Sequence, residues 1–234
     1  MKTILLKFAG PLQSWGINSH FETRQTQRYP TKSAIVGMLA ASLGYERHED
    51  KKIQKLNSLE FAVRVDQPGS ILRDYHTATK YKPNGQLDRT YVTNRYYLQD
   101  AVFVVAVGSR DDQFLLKIEE ALKAPYFQPF LGRRSLPINA DFFIGLKEGD
   151  IISNLEALEW QAASWYQRKD ERKLEVYADS HFLSSHRKTM ARDNVMSFSQ
   201  KERKFGFRSI SMAYVVVDGP MSKDAHDVFG SLGG

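Results

Sequence analysis

The run Ala101-Val102-Phe103-Val104-Val105-Ala106-Val107 limits the fold more than any other stretch of the chain. Its β-branched and aromatic side chains lose rotamer freedom in a helix but fill a pleated surface well, so it reads as a strand of the kind that occupies a sheet centre. Sheet neighbours and covering helices must then come from the flanking segments.

Those segments arrive in a definite order. Ile4-Leu5-Leu6-Lys7-Phe8 is a short apolar run bounded by turn residues and predicts a first strand. Thr31 is placed to cap a helix in which Ala34, Ile35, Met38, Leu39 and Leu43 recur at helical spacing before Gly44 stops it. A polar, charged connector from Tyr45 to Asn57 leads to a second strand, Leu59 to Val65. Beyond the central run, Asp111 or Asp112 caps a helix to about Lys123, with Phe114, Leu115, Ile118 and Leu122 on one face and Pro125 after its end. Phe142-Phe143-Ile144-Gly145-Leu146 predicts a fourth strand. The order β-α-β-β-α-β makes the class α+β and the expected core the split βαβ of ferredoxin-like and RRM folds.

Between the second and third strands lies an insertion, Leu72 to Leu98, that such a core does not require. Pro83-Asn84-Gly85 at its middle predicts a type I′ hairpin turn, since Asn-Gly readily takes positive φ. The arms of this protruding hairpin interleave Arg73, Lys80, Lys82, Arg89 and Arg95 with Tyr75, His76, Tyr81, Tyr91, Tyr96 and Tyr97. A base can stack on such rings while a neighbouring cation takes a phosphate. The plainer alternative is a solvated ribbon whose tyrosines only satisfy strand propensity.

The last third predicts a short helix from Ser153 to about Trp165, a charged surface loop from Gln167 to Lys173, a strand from Met212 to Val217 and a flexible tail from Met221 to Gly234. The expected division is residues 1–147 with the hairpin at 72–98, an extension at 148–220 packed on the core, and the tail at 221–234. From Trp165 to Arg208 there are eleven Lys/Arg and six Asp/Glu. Much of the net charge of +6 sits there, and Phe205-Gly206-Phe207-Arg208 beside Lys201-Glu202-Arg203-Lys204 allows a groove that tracks a nucleic-acid backbone.

With no cysteine, disulfide frameworks, thiol nucleophiles and thiolate metal sites are excluded, and a cytoplasmic setting is the default. Lys7 and Gly10-Pro11 interrupt the N-terminal apolar run too early for a signal peptide. No apolar run approaches the roughly 20 residues that span a membrane.

Two stretches carry the chemistry. In Ala9-Gly10-Pro11-Leu12-Gln13-Ser14-Trp15-Gly16 a strand runs into a turn expected to display Gln13, Ser14 and Trp15. In Pro30-Thr31-Lys32-Ser33 a helix start carries Lys32 and Ser33 beside backbone N–H groups that have no internal partner, an arrangement that suits an anion. An ordinary capped helix fits the same residues. The pair is not a P-loop: five residues separate Gly10 from Gly16, and Ile17 stands where the phosphate lysine belongs.

These blocks resemble the CasD family, the subunit of type I-E CRISPR Cascade that holds the 5′ handle of the guide RNA. The agreement runs through Leu6 to Gly16, Thr23-Arg24, Thr26, Arg28, Pro30 to Ser33, Leu72-Arg73-Asp74-Tyr75-His76-Thr77, Tyr97 to Ala101, and Tyr126 through Pro137 with Leu131-Gly132-Arg133-Arg134-Ser135. It covers about the first 140 residues closely and the remainder loosely, departing at Phe205-Gly206-Phe207-Arg208. The resemblance implies a ferredoxin-like domain of the RAMP superfamily whose thumb hairpin wedges into the guide. Its implied partners are the crRNA 5′ handle, the Cascade large subunit, the adjacent backbone subunit and, through the complex, target DNA. No cofactor, metal or membrane is implied. Carried over by position, the RNA-binding candidates are Gln13, Ser14, Trp15, Arg24, Thr26, Arg28, Lys32 and Ser33 around the first loop and helix. Arg73, Tyr75, His76 and Thr77 at the thumb base join them, as do the planar donors Arg133 and Arg134. For each arginine of that last pair the alternative is an internal salt bridge to Asp74 or Asp100.

Two other readings compete. In a metal-independent endoribonuclease, His76, Tyr75 and Lys80 would move protons and stabilise the phosphorane, but the six histidines are scattered. A general RNA-binding module would keep the groove without large protein interfaces. A metal site is disfavoured, because His181 and His186 are five apart and no carboxylate cluster accompanies them.

Overall fold

The computed structural model describes residues 1–16, 22–168, 172–183 and 188–217. One sheet of seven strands runs in the order Lys188–Ser197 (β10), Lys204–Val216 (β11), Lys173–Asp179 (β9), Glu60–Gln67 (β4), Val102–Ser109 (β7), Lys2–Ala9 (β1), Phe143–Glu148 (β8). The valine-rich run lies inside β7, buried from Val102 to Gly108 and paired antiparallel with β4 and β1. The whole molecule is mixed α+β.

Strand alternation divides the core in two. Ile4, Leu6 and Phe8, with Phe61, Val63, Phe103, Val105 and Val107, face Lys32–Ser42 (α1), Asp50–Asn57 (α2) and Asp112–Lys123 (α3), meeting Ile35, Leu39, Ile53, Leu56, Leu115 and Ile118. Leu5, Ala62, Val104, Ala106, Val176 and Val215 form the other face, covered by Ile151 and Leu155 of Ile151–Ala157 (α4). The α2 helix falls within the segment read as a connector. Its buried residues, Ile53 and Leu56, are one turn apart among charged neighbours and too sparse to announce a helix.

The helix expected from Ser153 to Trp165 is instead α4 followed by the short Ser164–Gln167 (α5). Arg64, wholly buried on β4, ends α4: its guanidinium donates to the carbonyls of Leu155, Leu158 (2.7 Å) and Glu159 (2.9 Å) and binds Asp66 through Nε and Nη2 at 2.7 and 2.8 Å. Leu158 then turns extended. The strand expected at Met212 is the end of β11, which begins at Lys204. β9 pairs antiparallel with β4 from Ala62↔Ala178 to Val65↔Glu175, so the C-terminal strands continue the sheet begun by the N-terminal half. Residues 169–171 of the charged loop and the tail 221–234 lie outside the described residues.

A second, four-stranded sheet stands apart from the first. It joins Leu12–Gln13 (β2), Thr23–Arg24 (β3) and the long hairpin of Ser70–Tyr81 (β5) and Leu87–Gln99 (β6). The hairpin register runs from Ser70↔Gln99 to Tyr81↔Leu87, so the predicted insertion is a ribbon. Its turn is not type I′. Lys82 O accepts from Gly85 N at 2.9 Å around Pro83-Asn84, Asn84 keeps a negative φ, and Gly85 alone takes φ 81°. Proline at the first central position suits a type I turn, with glycine in the left-handed position after it.

Candidate nucleic-acid interface

The first loop faces inward, not outward. Trp15 is 0% exposed, its ring edge-on to Phe8 at 5.3 Å, and Gln13 and Ser14 are buried beside it. Gln13 donates from Nε2 to the carbonyls of Phe8 (3.2 Å) and Ala101 (2.7 Å), while its Oε1 accepts the Trp15 indole N–H at 3.2 Å. Ser14 donates to the Tyr96 carbonyl at 3.3 Å. The expectation that these three side chains are displayed is therefore corrected: the apolar indole is satisfied within the core, and the loop bonds the strands of the second sheet. Half-buried Thr26 belongs to the same knot, its Oγ1 accepting from Trp15 N at 2.8 Å.

The start of α1 is likewise occupied. Thr31 caps it, accepting from Ala34 N at 3.3 Å, with Ser33 Oγ 3.2 Å from Thr31 Oγ1. The Asp193 carboxylate accepts Lys32 N at 2.8 Å, and buried Lys32 Nζ reaches Asp179 at 3.4 Å. Arg208 completes the network with two bonds to Asp193 (2.7 and 3.0 Å) and one to Asp179 (2.7 Å). Burial lowers the Lys32 ammonium pKa, only partly offset by Asp179. Burial also opposes the charge on Arg208, but the two aspartates outweigh it and raise its pKa. The expected anion site at Lys32 and Ser33 is thus corrected: the protein's own carboxylate already fills the helix N-terminus.

Arginines gather instead on the second sheet. Parallel pairing sets Arg24 on β3 beside Arg95 on β6, on one face, and Tyr97 lies two residues further along that face. Arg133 comes from the loop after Leu131 and stacks on Tyr97, its Cζ 4.0 Å from the ring centroid. Its Nη2 donates to the carbonyls of Tyr96 (3.0 Å) and Arg24 (3.4 Å), so Arg133 is held by a ring and two carbonyls rather than by Asp74 or Asp100. Gly132 makes this possible. It sits at φ 85°, and a Cβ there would collide with the Ser14 carbonyl. Arg133 Nη1 and Arg95 Nε are buried without a hydrogen-bond partner. With exposed Arg24, the half-buried Arg95 and Arg133 gather three like-charged guanidiniums in one platform, and their remaining N–H groups suit charge-assisted bonds to an anion.

The remaining candidates do not all share its face. Arg24, Arg28 and Arg134 are exposed. On the ribbon, Arg73 donates to Asn94 at 3.0 Å, Tyr75 is 65% exposed, Thr77 is exposed, and His76 is half-buried with its carbonyl accepting from Thr93. Registry puts Arg73 and Tyr75 on the face opposite Arg95 and His76. Arg95 was legible only as a member of an interleaved ribbon, and Tyr97 also as the start of the Tyr97 to Ala101 block. Their period-two spacing was the available signal that they share a face. Among the described residues no group of three or more His, Cys, Asp or Glu could hold a metal ion, and His186 lies outside them.

A family model described as CRISPR-associated protein (Cas5) matches residues 3–211. The chain belongs to the Cas5 family. Its CasD resemblance sits within that family: the CRISPR system Cascade subunit CasD of Escherichia coli (strain K12) is 36% identical over 156 residues, covering 61% of this chain and 70% of that protein. A chain of a solved CRISPR RNA-guided surveillance complex aligns at TM-score 0.76 and 31% identity, covering 97% of this Cas5 chain and 98% of its own length. A solved Cas protein aligns at TM-score 0.69 and 30% identity, covering 94% and 100%.

Proposed function

We propose that this Cas5 chain is a non-catalytic, cytoplasmic RNA-binding subunit of a Cascade surveillance complex, capping the crRNA 5′ handle and joining the large subunit to the backbone subunits. The observation that carries the RNA role is the gathering of Arg24, Arg95 and Arg133 about the Tyr97 ring. Cations set on rigid strands beside the Tyr97 ring suit a single-stranded backbone. Arg28, His76 and Arg134 flank that strand's path, and Arg73, Tyr75 and Thr77 meet RNA from the opposite face of the ribbon; Gln13, Ser14, Trp15 and Thr26 hold the first loop from within, and Lys32 and Ser33 the start of α1. The relatives named above, a Cascade subunit and a surveillance-complex chain, support the assembly role. The chain order β1-α1-β4-β7-α3-β8 with sheet order β4-β7-β1-β8, all antiparallel, supports a ferredoxin-like reading of the core.

The test is incubation of the purified protein with labelled repeat-containing RNA in EDTA, binding and cleavage being read on one gel against RNA with an unrelated 5′ end. Handle-selective binding without cleavage, unchanged in His76→Ala, is expected. A discrete cut abolished by His76→Ala would establish the endoribonuclease instead, and unselective binding would leave only a general RNA-binding module.

A further inference from the structure

The C-terminal strands, which no part of that reading uses, bear a second aromatic and cationic feature. An open groove of about 490 Å³ lies between the segment after β3 and the β10-β11 pair, its lining including Gln27, Tyr29, Met190, Arg192 and Phe207. That volume is within the range of small-ligand sites, about 300–1,000 Å³. Phe207 is 63% and Met190 64% exposed. Neither supports the core, so their apolar surface has no structural use in the isolated chain.

We propose that this groove holds one unpaired base of the RNA strand, stacked on Phe207 and Tyr29 with Arg192 on the adjoining phosphate. Tyr29 is a fixed wall, because its ring stacks on Tyr177 at 4.1 Å and 16°. Gln27 is anchored through its backbone, its N–H donating to Trp15 O at 2.7 Å, and its amide offers both a donor and an acceptor to a base edge. The local charge selects an anion. Asp179 and Asp193 are consumed by Arg208 and Lys32, and Glu175 accepts from Tyr177 at 2.7 Å, while exposed Arg28, Lys188 and Arg192 stand toward solvent. The groove also continues the arginine platform: Gln27 follows Arg24 by three residues, a reach of at most about 11 Å.

The groove's role depends on the chain binding RNA as proposed above, and the experiment separates the two. Short single-stranded RNAs, each carrying 4-thiouridine at a different position, are crosslinked to the full chain, and the modified peptide is located by mass spectrometry. Affinities are measured in parallel for wild type, Phe207→Ala, Phe207→Trp, Arg192→Ala and the variant combining Arg24→Ala, Arg95→Ala and Arg133→Ala. One RNA position is expected to crosslink into the peptide containing Phe207 or Tyr29. Phe207→Ala should weaken binding roughly tenfold, Phe207→Trp should not, and the far-ultraviolet spectrum should match wild type. If the triple variant loses RNA while Phe207→Ala and Arg192→Ala bind normally, the groove assignment falls and the platform stands. If Phe207→Ala keeps RNA but loses a co-purifying subunit, the groove is a protein contact and the assignment falls. If neither the triple variant nor Phe207→Ala alters binding, or wild type binds no RNA, both readings fall.

Discussion

The Asp193 carboxylate accepts the Lys32 backbone N–H at 2.8 Å, closing the N-terminus of α1 with a residue from a strand far along the chain. The same carboxylate takes two bonds from Arg208, so one buried group ties the first helix to β10 and β11. Its consequence is an N-terminus that stabilises the fold and is unavailable to a ligand.

Asp193→Ala should therefore act on stability. Removing it leaves the Lys32 backbone N–H unpaired and Arg208 with Asp179 alone, so the loss should approach the cost of breaking a buried ion pair, about 3–5 kcal/mol. Urea denaturation should show this loss, with RNA affinity retained below the new transition. Normal stability with lost affinity would instead make Asp193 part of the interface.

Trp15→Ala should also unfold rather than unbind. A buried aromatic ring replaced by alanine costs about 3–5 kcal/mol, and the Gln13 bond to the indole is lost as well. Trp15→Phe keeps most of the packing and should bind RNA as wild type. A Trp15→Phe protein that is stable yet fails to bind would return Trp15 to the interface.

On the platform, Arg95→Ala and Arg133→Ala should each flatten the salt dependence of RNA binding. Each lost phosphate contact on a single strand reduces the slope of log K against log salt by about 0.7. An unchanged slope in the double variant would remove these residues from the RNA path. Gly132→Ala should lose affinity by a different route, because the new Cβ displaces the loop that carries Arg133 from Ser14.

Alkaline pH should loosen the C-terminal strands. Burial, and secondarily a hydrogen bond to Glu175, raises the Tyr177 phenol pKa, while burial and Asp193 raise that of Tyr29. A raised folded pKa means the native state keeps protons that the unfolded chain releases, so this stabilisation is complete below about pH 10 and declines above it. Lys32, lowered by burial, contributes with the opposite sign. Comparing denaturation at neutral and strongly alkaline pH, Tyr177→Phe should lose less stability than wild type. An equal loss in both would exclude the phenol as the source.

The elements of the core were legible because their signals are local. The β7 run, the Thr31 and Asp111 caps, and the apolar spacing of α1 and α3 each lie within a dozen residues, and the dense blocks from Leu6 to Ser33 carried the family. What lay beyond the sequence was the direction in which side chains point. Gln13, Ser14, Trp15 and Lys32 looked like donors and a stacking ring, yet Phe8, Ala101, Asp179 and Asp193 arrive from other segments to consume them. Conversely, Arg95 became a site residue only when β3 and the loop at Gly132 brought Arg24 and Arg133 to it. Local propensity and pattern determined the strands and helices with dense apolar spacing, but not α2, β9 or β10; whether a polar side chain is spent inside the fold or left for a ligand depends on long-range partners that only the tertiary structure supplies.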